Sequence, residues 1–278
     1  MVGGVEGYGQ YCPIALGAEI FAERWTPIIL RNLMVGSDRF GDLLAGAPGI
    51  PRSVLTRRLR TLEREGVVTR SAGRYRLTAS GAELAQVCMA LGTWGARWRE
   101  SRPEHHDPYL ALWSLAHLVD RSGLPQARVV VRFDITGGRG PHRYWLVVGS
   151  ADREVCEHDP GHGDDAVVTC APAALIAWHC GRLPLGAALR AGTIAVTGPP
   201  WAVRMVAGWG RLSPFADVAP AGRASSSADD HSHASPDAGD RAAGAGQTSS
   251  ARTAEALLTT SISRVPSAAS PSPAAGKA

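Results

Sequence analysis

Eight arginines fall between positions 52 and 76, namely Arg52, Arg57, Arg58, Arg60, Arg64, Arg70, Arg74 and Arg76, against only Glu63 and Glu65. A guanidinium offers a planar fork of donors that fits phosphate oxygens and the edges of bases. Ser53 and Thr56 add hydroxyls to the same stretch, and Arg39 adds a guanidinium upstream. The net charge of the whole chain is only +4. All of that excess lies in residues 1–106, since residues 107–220 carry ten basic and ten acidic side chains. A basic stripe on an otherwise balanced chain is the footprint of a phosphate-binding surface. The bland alternative is a solvated helix face.

Other groups that could do chemistry are less ordered. The five cysteines (12, 88, 156, 170, 180) are odd in number and scattered, which is no disulfide framework. Cys156, His158 and His162, with His179-Cys180 further on, lack metal-ligand spacing, so no metal is expected. No nucleophile elbow, phosphate loop or dinucleotide fingerprint occurs. Gly137-Gly138-Arg139-Gly140 joins two strand-like runs with no helix after it and is read as a hairpin loop. No catalytic residue and no cofactor are expected, and the chain reads as a non-enzyme. No apolar run nears the ~18 residues that span a bilayer. The segment from Met1 to Gln10 has Glu6 and no Arg or Lys, unlike a secretory leader. The expectation is a cytoplasmic protein without a membrane partner.

The elements that position the arginines follow from helix punctuation and apolar spacing. Pro13 opens a helix to about Arg24, and Pro27 a second one that stops at Gly36. Phe40, Leu43 and Leu44 mark a short third helix, and Gly46-Ala47-Pro48-Gly49 a turn. A fourth helix runs from Pro51 to Gly66. At 100° per residue Leu55, Leu59 and Leu62 share its inner face, while Ser53, Thr56, Arg57, Arg60 and Arg64 point away and Arg58 lies on the flank. A short helix, a turn, and a helix with a Ser/Thr/Arg outer face is the shape of a helix-turn-helix. Val67–Arg70 and Arg74–Leu77 then form a small hairpin, or wing, bearing Arg70, Arg74 and Arg76. The expected DNA contacts are Arg39, Arg52, Ser53, Thr56, Arg57, Arg60, Arg64, Arg70, Arg74 and Arg76.

A capping box, Ser80 with Glu83, is expected to start a long helix ending near Arg102. Along it Leu84, Val87, Leu91, Trp94 and Trp98 are spaced 3, 4, 3, 4, a coiled-coil-like seam. A domain of this size does not need such a stripe for its own core, so the seam predicts a homodimer.

These residues resemble the HxlR-type family of bacterial winged-helix transcription regulators. The likeness runs from about Tyr11 to Trp98. It is carried by Cys12-Pro13, Arg24-Trp25-Thr26, Ile28-Ile29-Leu30, Gly36, Arg39-Phe40, Leu43 and Gly49-Ile50. It continues through Leu55-Thr56, Arg58-Leu59, Leu62-Glu63, Gly66-Val67-Val68, Arg70, Tyr75, Leu77-Thr78, Gly81, Leu84 and Trp94. The resemblance implies a homodimer on a palindromic operator in double-stranded DNA, often as a repressor. In some members of that family the cysteine matching Cys12 senses oxidants, so the resemblance offers redox sensing as one role for Cys12, the alternative being an inert, partly buried thiol.

Residues 107–217 read as an α+β domain with an antiparallel sheet. Strands are expected at Ala127–Ile135, His142–Val148, Ala166–Cys170 and Gly192–Gly198. Helices are expected at Pro108–Arg121, Pro172–Cys180, Leu185–Arg190 and Trp201–Gly210. The part from Ala166 to Trp209 resembles a sterol-carrier-protein-like domain through Val167-Val168-Thr169, Pro172, Leu175, Gly181-Arg182-Leu183, Leu189, Gly192, Ile194, Val196 and Gly198. That resemblance implies a sheet backed by helices around an apolar tunnel. Some of Trp113, Trp145, Trp178, Trp201 and Trp209 are expected around that cavity, holding a small apolar molecule. Residues 218–278 are rich in Ala and Ser and are expected to be disordered. The organisation is therefore 1–106 for DNA binding and dimerisation, 107–217 for ligand binding, and 218–278 as a tail. The function read from it is a DNA-binding regulator controlled by an apolar ligand or by redox. The competing reading is a lipid or small-molecule carrier that uses the winged helix as a dimerisation scaffold, for which the arginine stripe would be superfluous.

Overall fold

The computed structural model describes residues 7–124, 127–138, 140, 142–150, 152–209 and 213–221. The first unit is helical. Pro13 starts α1 (Pro13–Phe21) and Pro27 occupies the first turn of α2 (Thr26–Met34), where a missing N–H costs nothing. The helix expected to reach Arg24 stops at Phe21, because Trp25 turns the chain with a positive φ of 80° just before α2. α3 (Phe40–Ala45) and the turn after it lead to α4 (Arg52–Arg64), with Pro51 as its N-cap residue. Leu55, Leu59 and Leu62 are buried against Ile29, Leu30, Leu33 and Leu43. β1 (Val68–Ser71) and β2 (Arg74–Leu77) pair antiparallel through a tight turn in which Ala72 and Gly73 both take positive φ.

α5 (Ala79–Trp98) follows, but its cap differs from expectation. Thr78 is the N-cap, its hydroxyl accepting from the Gly81 N–H at 3.1 Å, and Ser80 lies inside the first turn. Gly81 is needed there, since a Cβ would strike the Val67 carbonyl oxygen.

A single 3₁₀ turn at Pro103–His105 leads to α6 (Pro108–Leu118), which is shorter than expected and capped by Asp107. The second unit is α+β. Its strands are β3 (Arg128–Ile135), β4 (Arg143–Gly149), β5 (Arg153–Cys156), β6 (Ala166–Cys170) and β7 (Ile194–Thr197), in the order β5-β4-β3-β6-β7. Two expectations are corrected. β5 was missed, and the sheet is mixed, because β3 and β6 run parallel while the other pairs are antiparallel.

Alternate residues of β3 (Val129, Val131, Phe133, Ile135) join Tyr144, Leu146, Val148, Val168 and Cys170 in one buried layer. It packs with Leu112 and Leu115 of α6, Trp178 of α7 (Pro172–His179), Ala188 of α8 (Leu185–Arg190) and Val206 of α9 (Pro200–Ala207). The opposite face carries charge: Arg132 and Arg143 share Asp134, and Asp164 joins Arg132 to the Trp145 indole N–H.

The five tryptophans take different places. Trp113, Trp145, Trp178 and Trp209 are buried and Trp201 is half-buried. Trp178 and Trp209 belong to the core between sheet and helices and Trp201 packs partly against it, whereas Trp113 lies against Gly46 of the first unit and Trp145 bonds Asp164 on the charged face of the sheet.

Residues 222–278, most of the expected disordered tail, and Arg139 of the hairpin loop lie outside the described residues. The start of that tail is corrected, because Val218 to Ala221 belong to a segment that returns to α5. Phe215 sits where a Cβ on Gly92 would be, and the Ala221 N–H bonds the Arg97 carbonyl at 2.8 Å.

Candidate nucleic-acid interface

The apolar face of α4 is sealed in the core, which turns its other face outward. Arg52, Ser53, Arg57, Arg60 and Arg64 are exposed, while Thr56 is half-exposed and its hydroxyl donates to the Arg52 carbonyl at 2.9 Å. The arginines then divide by partner. Arg58, on the flank, ion-pairs with Glu23 of the α1–α2 connection and is structural. Arg64 meets its neighbour Glu65 at 3.0 Å on the surface. Arg74, expected as a free wing arginine, places Nη1 at 2.7 Å from both oxygens of Asp38, and the same Asp38 accepts the Tyr75 N–H through its carbonyl. Those contacts, with the Arg39–Arg74 backbone bridge, lock the wing to the entrance of α3.

Arg39, Arg52, Arg57, Arg60, Arg70 and Arg76 have no acidic partner among the described residues. Two of these are steadied by aromatic rings: Arg52 lies 5.3 Å from the centre of Phe40, and Arg70 5.3 Å from that of Tyr75. An unpaired guanidinium held by a ring keeps its charge and its donors for a ligand.

The seam on α5 is split. Val87, Leu91, Trp94 and Trp98 are 49%, 46%, 55% and 59% exposed. Leu84 instead packs partly on the core of its own unit, so it belongs less to the seam than its spacing suggested. The other exposed large apolar groups among the described residues are mostly on the N-terminal arm and α1: Tyr8, Tyr11, Ile14 and Leu16. Cys12 is the N-cap residue of α1, half-buried, and forms no disulfide. No three His, Cys, Asp or Glu side chains converge on a metal site among the described residues.

Residues 20–103 match the model of the HxlR-like helix-turn-helix family. Over 99 residues the chain is 35% identical to sll1512 of Synechocystis sp., an uncharacterized HTH-type transcriptional regulator, spanning 33% of this chain and 73% of that one. The chain belongs to the HxlR-like helix-turn-helix family. A second relative, YvaP of Bacillus subtilis, also an uncharacterized HTH-type transcriptional regulator, is 33% identical over 32% of this chain and 90% of its own length. Among solved structures, the UbiJ-SCP2 ubiquinone synthesis protein aligns with 50% of this chain and 98% of its own, at 18% identity and a TM-score of 0.26.

The HxlR-like unit is also gripped from behind by the α+β unit, and nothing in the sequence periodicity signals this. Trp113 of α6 lies against Gly46, where a Cβ would strike the indole, and Arg31 of α2 stacks 5.5 Å from its centre. Arg31 also bonds the Gly46 carbonyl and the Asn32 amide oxygen. His117 Nδ1 is 2.8 Å from the Trp113 carbonyl, so Nδ1 carries the proton and Nε2 accepts from the buried Ser37 hydroxyl at 2.9 Å. Burial, and next the charge of Arg153, lower the His117 pKa to about 4, which keeps this acceptor neutral. Arg153 of β5, the strand the sequence reading missed, donates to the carbonyls of Val35 and Gly36 at 3.3 and 3.4 Å. All of these partners lie on α2, the α2–α3 link or the turn before α4.

Proposed function

We propose that the protein is a dimeric DNA-binding transcription regulator, acting as a repressor on a palindromic operator. The observation that carries the reading is the set of six arginines (39, 52, 57, 60, 70, 76) left without acidic partners around α4 and its hairpin. Arg57, Arg60 and Ser53 on α4 would read base edges in the major groove, and Thr56 would lie beside them. Arg39, Arg52, Arg70 and Arg76 would hold phosphates, with Arg64 at the far end of α4. Arg74 serves by fixing the wing, through Asp38.

The unpartnered α5 face, with Tyr11 of the N-terminal arm and Ile14 and Leu16 of α1, would meet a second copy and set the distance between the two α4 helices. The α+β unit would act as the sensor, because its grip on α2 and the α3–α4 turn gives it leverage on the reading helix. The carrier reading is less favoured, because a carrier has no use for arginines left without acidic partners.

Selection from random double-stranded DNA tests the reading. A palindromic motif, bound as a dimer in light scattering, is the expected result. Failure of any sequence to enrich would overturn it.

A further inference from the structure

A cleft of about 380 Å³ opens between the two units, within the size range of small-molecule sites. Its apolar wall is Leu44 of α3 and Pro48 of the turn before α4. The opposite wall is Asp107 and Tyr109 at the start of α6, Tyr144 of β4, and Glu157 just beyond β5.

The polar groups of this cleft are under-used. Tyr144 is only 2% exposed, yet its hydroxyl, at the cleft wall, has no hydrogen-bond partner among the described residues. Asp107 uses Oδ1 to cap α6 by accepting the Tyr109 N–H at 2.9 Å, and Oδ2 is free. Neither Asp107 nor Glu157 has an ion-pair partner among the described residues. Burial raises the pKa of both phenols, and the two carboxylates raise them further, Tyr144 to about 12. Both phenols are therefore neutral hydrogen-bonding groups, in a site whose charge comes from carboxylates.

We infer that this cleft binds an organic cation, an ammonium or delocalised positive group on an apolar or aromatic body. Two unpaired carboxylates supply the countercharge, the half-exposed Tyr109 offers a ring face, the unpartnered Tyr144 hydroxyl offers a hydrogen-bonding group, and Leu44 with Pro48 receives the apolar body. A bare metal ion fits worse, since no three suitable ligands converge among the described residues. The site is not the tunnel expected inside the sheet and helices. It lies where a ligand touches α3 and the turn into α4 on one side and the sensor unit on the other. Its regulatory role rests on the DNA-binding reading above; its existence as a binding site does not.

The test uses the full chain without DNA and three dyes: rhodamine 6G (cationic), Nile red (neutral) and fluorescein (anionic), each titrated by fluorescence anisotropy. Rhodamine 6G is expected to bind saturably and more tightly than the other two. Asp107→Asn with Glu157→Gln should weaken it about fivefold, and Tyr144→Phe about twofold, since ion pairs at exposed and half-buried carboxylates each contribute modestly. Asn keeps the helix cap, so the fold should survive; Glu157→Gln alone, at an exposed position, reads the same effect if the double variant is unstable. Asp120→Asn, an exposed acid at the other end of α6, should change nothing. Equal binding of fluorescein, or rhodamine binding unaffected by the cleft variants, would overturn the proposal. With the selected operator present, saturating rhodamine 6G should shift its affinity severalfold. Charge-dependent dye binding with no such shift would overturn the regulatory half.

Discussion

Trp94→Ala should take the protein from dimer to monomer at concentrations where the wild type is paired. Trp94 is 55% exposed in the isolated chain, on the same face of α5 as Leu91 and Trp98. A Trp side chain presents roughly 200 Å² for burial, so about 100 Å² remains to be covered by a partner. At about 25 cal/mol per Å² that is roughly 2.5 kcal/mol in each protomer. A twofold-symmetric interface loses the group twice, or about 5 kcal/mol. At 1.4 kcal/mol per factor of ten, the dimer Kd should rise by three to four powers of ten. The side chain is not part of the chain's own core, so the melting temperature of the monomer should barely move. Sedimentation over a dilution series from tens of micromolar to tens of nanomolar measures both proteins. A wild type that is monomeric throughout, or a variant whose Kd stays within a factor of ten, would show that this face of α5 does not hold two copies together.

Other consequences follow from the contacts between the two units. Gly46→Ala places a Cβ against the Trp113 indole and Asn32, so it should cost roughly 1–3 kcal/mol in urea unfolding, as overpacking does; a neutral result would contradict the packing. His117, held down to about 4 by burial and then by the charge of Arg153, takes up a proton more readily in the unfolded chain, where its pKa is near the ordinary 6.5. Its contribution to stability is therefore complete above about pH 6.5 and is lost as the pH falls towards 4. Arg121 and Arg31 push in the same direction, and the Trp113 carbonyl opposes them. His117→Gln should flatten the urea midpoint between pH 7 and pH 5, leaving a residual slope from His179, which burial also holds near 4; an unchanged slope would exclude His117 from the linkage. Arg76→Ala should weaken binding to all DNA sequences alike and reduce the salt dependence, whereas a loss confined to one base position would reassign that residue.

Local periodicity made α4 legible: Leu55, Leu59 and Leu62 went inward and Arg52, Arg57, Arg60 and Arg64 outward. β6 and α8 fall where short apolar runs between Gly and Pro signals placed them. What escaped was non-local. The parallel pairing of β3 with β6 spans an intervening hairpin, and no spacing in the sequence encodes which strands become neighbours. β5 is only Arg153–Cys156, too short for its alternation to stand out, though Gly149-Ser150 before it signals a turn. The cap on α5 was misplaced because Ser80 with Glu83 fits the same pattern that Thr78 satisfies by bonding the Gly81 N–H. Among the arginines, sequence could count the charges but not the partners. Arg58 and Arg74 are tied to Glu23 and Asp38, residues 35 and 36 positions away. The grip of Trp113, His117 and Arg153 on α2 and its link to α3 is likewise visible only once both units are folded.

The outward face of α4 is proposed to read DNA. The most direct measurement is the affinity of the Arg57→Ala, Arg60→Ala double variant for the operator selected by the wild type, by fluorescence anisotropy at fixed salt. Each lost base contact costs roughly 1–3 kcal/mol, so the double variant should bind that operator about 30-fold more weakly or worse. Its affinity for random DNA should fall much less, with the melting temperature and dimerisation unchanged. Full operator affinity and selectivity in the double variant would contradict the account.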